Sequence, residues 1–252
     1  LPELPDVEGY RRVARKAAGR RIDKVEVIDR SLLRGGRGAT IEGARLGDPV
    51  RHGKWLFLPA GDAEVLMHFG MTGRLDWARR GSDRHQHDRI VFVCPGGELR
   101  YRNMRKFGGI WISKRGRERV TGPLGPDAAE VDRDRFRELL GRRRGGIKAA
   151  LMDQRLIAGL GNLMVDEIAW RAHVNPRAQV PRLSRRRIDR LSEAMDEVVR
   201  ESLPTGRVPP IEGWLTGVRD AREPVCPRCG ARLRRATVAG RTTVWCPRCQ
   251  RR

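Results

Sequence analysis

The sequence predicts an α+β chain of several domains: a leading helix with a β-sandwich or barrel, then a helical region, then a small zinc ribbon. Three observations carry this. Short β-like apolar runs, separated by Gly, Asp and Pro, crowd residues 21–113. Helical periodicity replaces them after the Gly/Pro-rich stretch VTGPLGPDAAE at 120–130. The tail carries two CPRC pairs at metal-ligand spacing. The expected boundaries are 1–122, 123–221 and 222–252, and 252 residues suffice for more than one core.

The first helix is expected over 5–18, where Val7, Val13, Ala14, Ala17 and Ala18 share a face and Gly19 stops it. Strands are expected at 21–28, 53–60, 64–70, 89–94, 98–102 and 109–113. Helices follow at 132–140, 147–154 and 162–172. The longest, 183–203, places Leu183, Ile188, Leu191, Ala194, Met195 and Val198 on one side. PTGRVPPIEG at 204–213 breaks it.

The tail reads C-x2-C-x16-C-x2-C through Cys226, Cys229, Cys246 and Cys249. Two knuckles of two thiolates each close a tetrahedron around one Zn2+, with a structural role and no open position for chemistry. Disulfides fit poorly in a chain expected to be cytoplasmic. Between the knuckles an alternating hairpin with Ala-Gly at its tip exposes Arg241 to a groove or phosphate. Cys94 ends an apolar run and reads as a buried thiol. HQHD at 85–88 reads as a polar loop rather than a catalytic metal site.

A net charge of +22 calls for a polyanionic partner, nucleic acid first and an anionic membrane surface second. Of 53 basic residues only six are lysine (Lys16, Lys24, Lys54, Lys106, Lys114, Lys148). No apolar run is long enough to span a membrane, and no signal-peptide pattern opens the chain, so a cytoplasmic setting is expected. LIAGLGNLMVDE at 156–167 joins two helices. Gly159 and Gly161 permit close backbone approach, and Asn162 reads as an N-cap, so the helix start is an expected anion site. Glu167 reads as a carboxylate that orients the loop, bonds a basic neighbour or is simply solvated.

The chain opens LPELPDVEGYRR. A proline amine at a chain terminus is a nucleophile, whereas Leu1 makes it an amide. The segments PELPDVE (2–8), GKWLFL (53–58), HFGMTGRL (68–75), RKFGGIW (105–111) and LMDQRLIAGLGN (151–162), with the CPRC pair, come in one order. Together they resemble the Fpg/Nei family of formamidopyrimidine-DNA glycosylases and endonuclease VIII-like enzymes, over nearly the whole chain.

That resemblance implies an N-terminal β-sandwich with a leading helix, a helical H2TH domain and a zinc ribbon. It implies a bifunctional DNA glycosylase/AP lyase of base-excision repair, acting as a monomer on double-stranded DNA with damaged bases or abasic sites, at the bacterial nucleoid. Pro2 matches the nucleophile, which attacks C1′ of deoxyribose to form a Schiff base before β,δ-elimination. Glu3 matches the proton shuttle, and Lys54 a catalytic lysine on the lesion phosphate. Leu1 stands where methionine belongs, as a leucine-type start codon translated literally would give. Met71, Arg105 and Phe107 match the residues that fill the vacated stack. Asn162 and Arg241, with Gly161 and Lys148, match the phosphate-holding set, and Glu167 an acid of the H2TH unit.

Two departures stand out. RNMRKFG replaces the usual acidic-proline lead into the wedge loop, and 203–225 lacks a long glycine-rich lesion cap. A non-catalytic damaged-DNA binder is the alternative within the family, and a zinc-ribbon transcription factor the alternative outside it.

Overall fold

Helix α1 (Leu4–Arg15) begins directly after Pro2 and Glu3. The computed structural model describes residues 2–208, 211 and 213–251, so Leu1 and parts of the 204–213 break lie outside the described residues. Val7, Ala14 and Ala17 of the predicted face are buried, and Gly19 turns the chain at φ +77°.

The strands are β1 (Lys24–Val27), β2 (Leu33–Gly35), β3 (Val50–His52), β4 (Trp55–Ala60), β5 (Ala63–His68), β6 (Gly73–Ala78), β7 (Asp88–Cys94), β8 (Gly97–Asn103) and β9 (Gly109–Ser113). They form two sheets, β1-β7-β8-β6 and β2-β9-β5-β4-β3, antiparallel except for β2 beside β9. Leu56, Leu58, Val65 and Met67 of one sheet share a core with Ile90, Phe92, Leu99 and Tyr101 of the other. The fold is thus a sandwich, not a barrel. Strands β2, β3 and β6 were not expected. The first two are three residues long, and β6 is a sheet edge whose Arg74 and Asp76 break up its apolar content. The strand expected from residue 21 starts at Lys24, since Arg21 makes only an isolated bridge to Arg45. Cys94 is buried, as expected.

The helices after the sandwich are α2 (Glu118–Thr121), α3 (Arg133–Gly141), α4 (Ile147–Met152), α5 (Asn162–Arg171), α6 (Arg185–Ser202) and α7 (Leu215–Val218). Asp132 caps α3, its side chain accepting from the Arg135 amide. Leu183 precedes α6, closing a short 3-10 turn over Val180–Arg182, because Pro181 sits there. Phe136, Leu140, Ile147, Leu151, Met164, Ile168, Leu191 and Met195 make one core. Strands β10 (Arg234–Val238) and β11 (Arg241–Trp245) form the ribbon hairpin. Its Leu233 and Val244 pack with Trp170 of α5 and Leu215 of α7.

The described chain divides into two compact units. One contains Pro2 and Asp6–Pro123; the other contains Glu3–Pro5 and residues 124–251. The ribbon belongs to the second unit, and so does the first turn of α1, whose Leu4 is buried in the helical core.

Candidate nucleic-acid interface and zinc centre

In the sandwich unit two loops are braced into one tip. Thr72 Oγ1 accepts from the Arg105 amide at 3.0 Å and donates to Asn103 Oδ1 at 3.1 Å. Asn103, fully buried, also accepts from the Lys106 amide and donates to the Phe107 carbonyl and the Tyr101 hydroxyl. A Cβ on Gly70 would lie 2.0 Å from the Phe107 carbonyl oxygen, so only glycine lets the loops approach. Met71 lies half-buried in the 70–72 turn, beside a loop in which Arg105 and Phe107 are exposed. The Arg105 guanidinium lies 5.5 Å from the Phe107 ring centroid. The three expected wedge residues are therefore brought together. Asn103 supplies the hydrogen bonds that shape the loop. Met104, 53 % exposed on the same loop, was not anticipated.

Lys54 occupies, with Gly53, the tight turn between β3 and β4, rather than the head of a strand; Gly53 adopts φ +57°. Nearby His68 was overlooked, although it sits inside the quoted HFGMTG. Its Nδ1 accepts from the Gly70 amide at 3.3 Å, which assigns the proton to Nε2. Burial, with the Lys54 ammonium adding to it, lowers the imidazole to about 4, so it is neutral at pH 7.

The helix start at 161–164 corrects the sequence reading. Gly161, not Asn162, is the N-cap, and no cap bond comes from its own side chain. The amides of Gly161, Leu163 and Met164 instead donate to the Glu3 carboxylate at 3.1, 2.8 and 3.0 Å. An internal carboxylate therefore occupies the positive end of α5 where a phosphate was expected. Gly159 and Gly161 serve the same contact. Gly159 has φ +113° and faces Leu4, while a Cβ on Gly161 would meet Glu3 Cδ at 2.2 Å. Pro2, half-buried, lies one residue before this anchor.

Lys148 is also corrected, and of the readings open for Glu167 the bond to a basic neighbour is the one found. Lys148 is fully buried, its Nζ 2.5 Å from Asp166 Oδ1, so its charge faces the interior rather than a phosphate. Asp166 Oδ2 accepts from Arg219 Nη1 at 2.8 Å and from the Val244 amide at 3.1 Å. Burial raises the Asp166 carboxyl and lowers the Lys148 ammonium, each opposed by the ion pair they share. Glu167 is buried rather than solvated, accepting from Arg171 and from the Thr216 amide at 3.0 Å. Burial raises its carboxyl as well. Neither Asp166 nor Arg219 was singled out from the sequence. The only signal was an acid four residues after Asn162, on the same helix face.

Asn162 Nδ2 donates to the Thr242 carbonyl at 3.0 Å, and Arg219 Nη2 to the same oxygen at 3.2 Å. Both hold β11 to the start of α5. The hairpin turns through Ala239 and Gly240 at φ +50° and +70°, as its sequence implied, and leaves Arg241 exposed at its tip. Asn162 and Arg241 thus meet at one place.

The Sγ atoms of Cys226, Cys229, Cys246 and Cys249 all lie within 4.8 Å of one another, and this is the one metal-competent cluster among the described residues. Zn–S bonds of about 2.3 Å give a tetrahedral S···S edge of about 3.8 Å. The 4.0 Å Cys226–Cys249 and 3.5 Å Cys229–Cys246 separations bracket that edge. Trp170 Nε1 donates to Cys226 Sγ at 3.3 Å, and the Cys249 amide to Cys246 Sγ at 3.3 Å, as outer-shell donors to thiolates do. The site holds one structural zinc ion, fully ligated by protein.

Comparison with known proteins agrees with this geometry. Residues 1–110 match the formamidopyrimidine-DNA glycosylase N-terminal domain, 124–209 its H2TH domain, and 224–252 the zinc finger found in FPG and IleRS. A formamidopyrimidine-DNA glycosylase of Lactobacillus delbrueckii subsp. bulgaricus is 31% identical over 275 residues, covering 100% of both chains. One from Symbiobacterium thermophilum is 34% identical over 273 residues, 99% of this chain and 89% of its own. The Lactococcus lactis enzyme non-covalently bound to an AP-site-containing DNA superposes with a TM-score of 0.87 at 29% identity, over 99% of this chain and 100% of that one. The wild-type Lactococcus lactis enzyme with N7-benzyl-Fapy-dG-containing DNA gives 0.89 at 29% identity, over 100% of both. With full-length relatives, all three domain types in order and a four-cysteine ribbon, the chain belongs to the formamidopyrimidine-DNA glycosylase family.

Proposed function

We propose that this protein is a base-excision-repair DNA glycosylase with AP lyase activity, acting as a monomer on duplex DNA that carries an oxidised base or an abasic site. Residues 1–122 carry the chemistry, 123–221 hold the DNA, and 222–252 form the zinc ribbon. The nucleophile is the secondary amine of Pro2 as first residue of the mature chain. It bonds to C1′ of the flipped nucleotide while the base departs with the glycosidic electron pair. Ring opening gives an iminium. Loss of a C2′ proton expels the 3′ phosphate, and a second elimination expels the 5′ phosphate.

The supporting observation is the anchoring of Glu3 on three amides of α5. It fixes a carboxyl one residue from the nucleophile, where it shuttles the sugar-oxygen proton. Lys54 takes the lesion phosphate, Met71, Arg105 and Phe107 fill the gap in the stack, and Asn162 and Arg241 hold flanking phosphates. Lys148 acts from the interior by positioning.

Borohydride trapping tests this. Protein whose intact mass shows Pro2 as its first residue is expected to form a covalent adduct with an abasic duplex, and Pro2→Gly or a retained N-terminal extension to abolish it. Tight binding of the same duplex with no adduct identifies a non-catalytic binder and refutes the lyase chemistry.

A further inference from the structure

Five of the six arginines from 133 to 144 are neutralised. Arg133, Arg135, Arg137, Arg142 and Arg143 each pair with a carboxylate. The stretch 177–187 differs. Arg177, Arg182, Arg186 and Arg187 make no salt bridge among the described residues, and Arg185 acts on Asp189 only at longer range. Asp189, the acid in that helix turn, is bound to Arg137 at 2.6 Å. Three of these arginines occupy the first turn of α6, where the helix dipole disfavours cations. The fold does not call for them there.

Arg177, Arg182 and Arg187 rim a groove of about 690 Å³. Its floor is apolar, through residues such as Pro176 and Leu183, and no acid lines it. One wall is Thr237, Val238 and Ala239, which run straight through Gly240 into Arg241. Beside it the segment 145–147 bonds to 178–180, through Val180 N to the Gly145 carbonyl and Ile147 N to the Ala178 carbonyl. The groove is therefore built on paired backbone.

We propose that this groove is a second DNA-contact surface, which takes the sugar-phosphate backbone of duplex flanking the lesion. This rests on the function proposed above. Unpaired guanidiniums supply phosphate ligands, the apolar floor suits deoxyribose, and the shared wall makes the surface continuous with Arg241. Duplex DNA carries one charge per ~1.7 Å of axis, so a few base pairs beyond Arg241 present several phosphates to it. An acidic protein segment is the competing occupant. It has no reason to adjoin the hairpin.

The test measures Kd against salt for two abasic-analogue duplexes, of roughly 10 and 30 base pairs, with undamaged duplexes of both lengths as controls. Wild-type protein is expected to show a steeper log Kd–log salt slope on the long duplex. The variant Arg177→Ser/Arg182→Ser/Arg187→Ser should lose about 2.7 of that slope, at ~0.9 per phosphate contact. Between 50 and 200 mM salt the long-duplex affinity of wild type then falls roughly 40-fold more than that of the variant. On the short duplex the two should coincide. The exposed single variant Arg182→Ser, expected to lose about 0.9, covers the case in which the triple variant misfolds. Equal slopes on the long duplex overturn the proposal. So does an equal loss at both lengths, which places these arginines at the lesion, or a loss confined to binding of polyglutamate. A missing preference for the abasic analogue at both lengths, with the length dependence intact, counts against the repair function and leaves the groove standing.

Discussion

Replacing Asp166 should cost far more than replacing its lysine partner. Asp166 accepts three bonds inside the protein, from Lys148 at 2.5 Å, Arg219 at 2.8 Å and the Val244 amide at 3.1 Å. The side chains of all three ionic partners are at most 3% exposed. Asp166→Ala strands two cations and one amide. Breaking a buried pair costs about 3–5 kcal/mol, and an orphaned donor about 1–3 more. A loss of about 4–8 kcal/mol follows, or roughly 8–30 °C in Tm at ~2–4 °C per kcal/mol for chains of this size. Lys148→Met is different. Removing the Lys148 charge leaves Asp166 its bonds from Arg219 and the Val244 amide, and the thioether fills the space of the alkyl stem. Its cost should stay under about 2 kcal/mol. Asp166→Ala/Lys148→Met should recover at least about 1 kcal/mol relative to Asp166→Ala. Calorimetry of the zinc-saturated protein at pH 7.5 measures all three. If Lys148→Met loses as much as Asp166→Ala, the remaining partners of Asp166 do not sustain it and the reasoning is wrong.

Other changes read out separate parts of the molecule. Gly161→Ala drives a Cβ into Glu3 and should slow single-turnover trapping on the order of 10²-fold, the scale of a lost proton shuttle, whereas an unchanged rate would absolve Glu3. Chelating the zinc should unfold the ribbon and perturb the fluorescence of Trp170, whose indole donates to Cys226, while the sandwich core keeps its urea midpoint. His68, lowered to about 4, stays neutral in the fold while the unfolded chain takes up a proton below about 6.5. The stability it supplies is present above that value and lost as pH falls toward 4, by up to about 1.4 kcal/mol per pH unit. His68→Gln should flatten that part of a denaturant-midpoint profile; an unchanged slope between pH 6 and 4.5 assigns the effect elsewhere.

Six strands, five helices and the metal cluster were legible because each has a local signal: a run, a period or a cysteine spacing. The hairpin tip was legible too, since Ala239–Gly240 is a local turn. What the sequence concealed depends on partners far along the chain. Asn162 looked like a cap because asparagine is a good one, yet Glu3 takes that role from 158 residues away. Lys148 and Glu167 looked available because nothing nearby in sequence covers them. Their burial comes from α5 and α7 packing with the ribbon. The bracing of the Phe107 loop by Asn103, four residues earlier, had no sequence signal either.

The Glu3–α5 contact also means that the carboxyl-terminal half is not a self-contained module. A fragment starting at residue 124 would lack the acceptor for three N–H groups and the leucine that plugs its apolar interior beside Gly159. Shuffling or excising this half would have to carry Glu3 and Leu4 along, for instance by circular permutation that grafts them ahead of the H2TH segment.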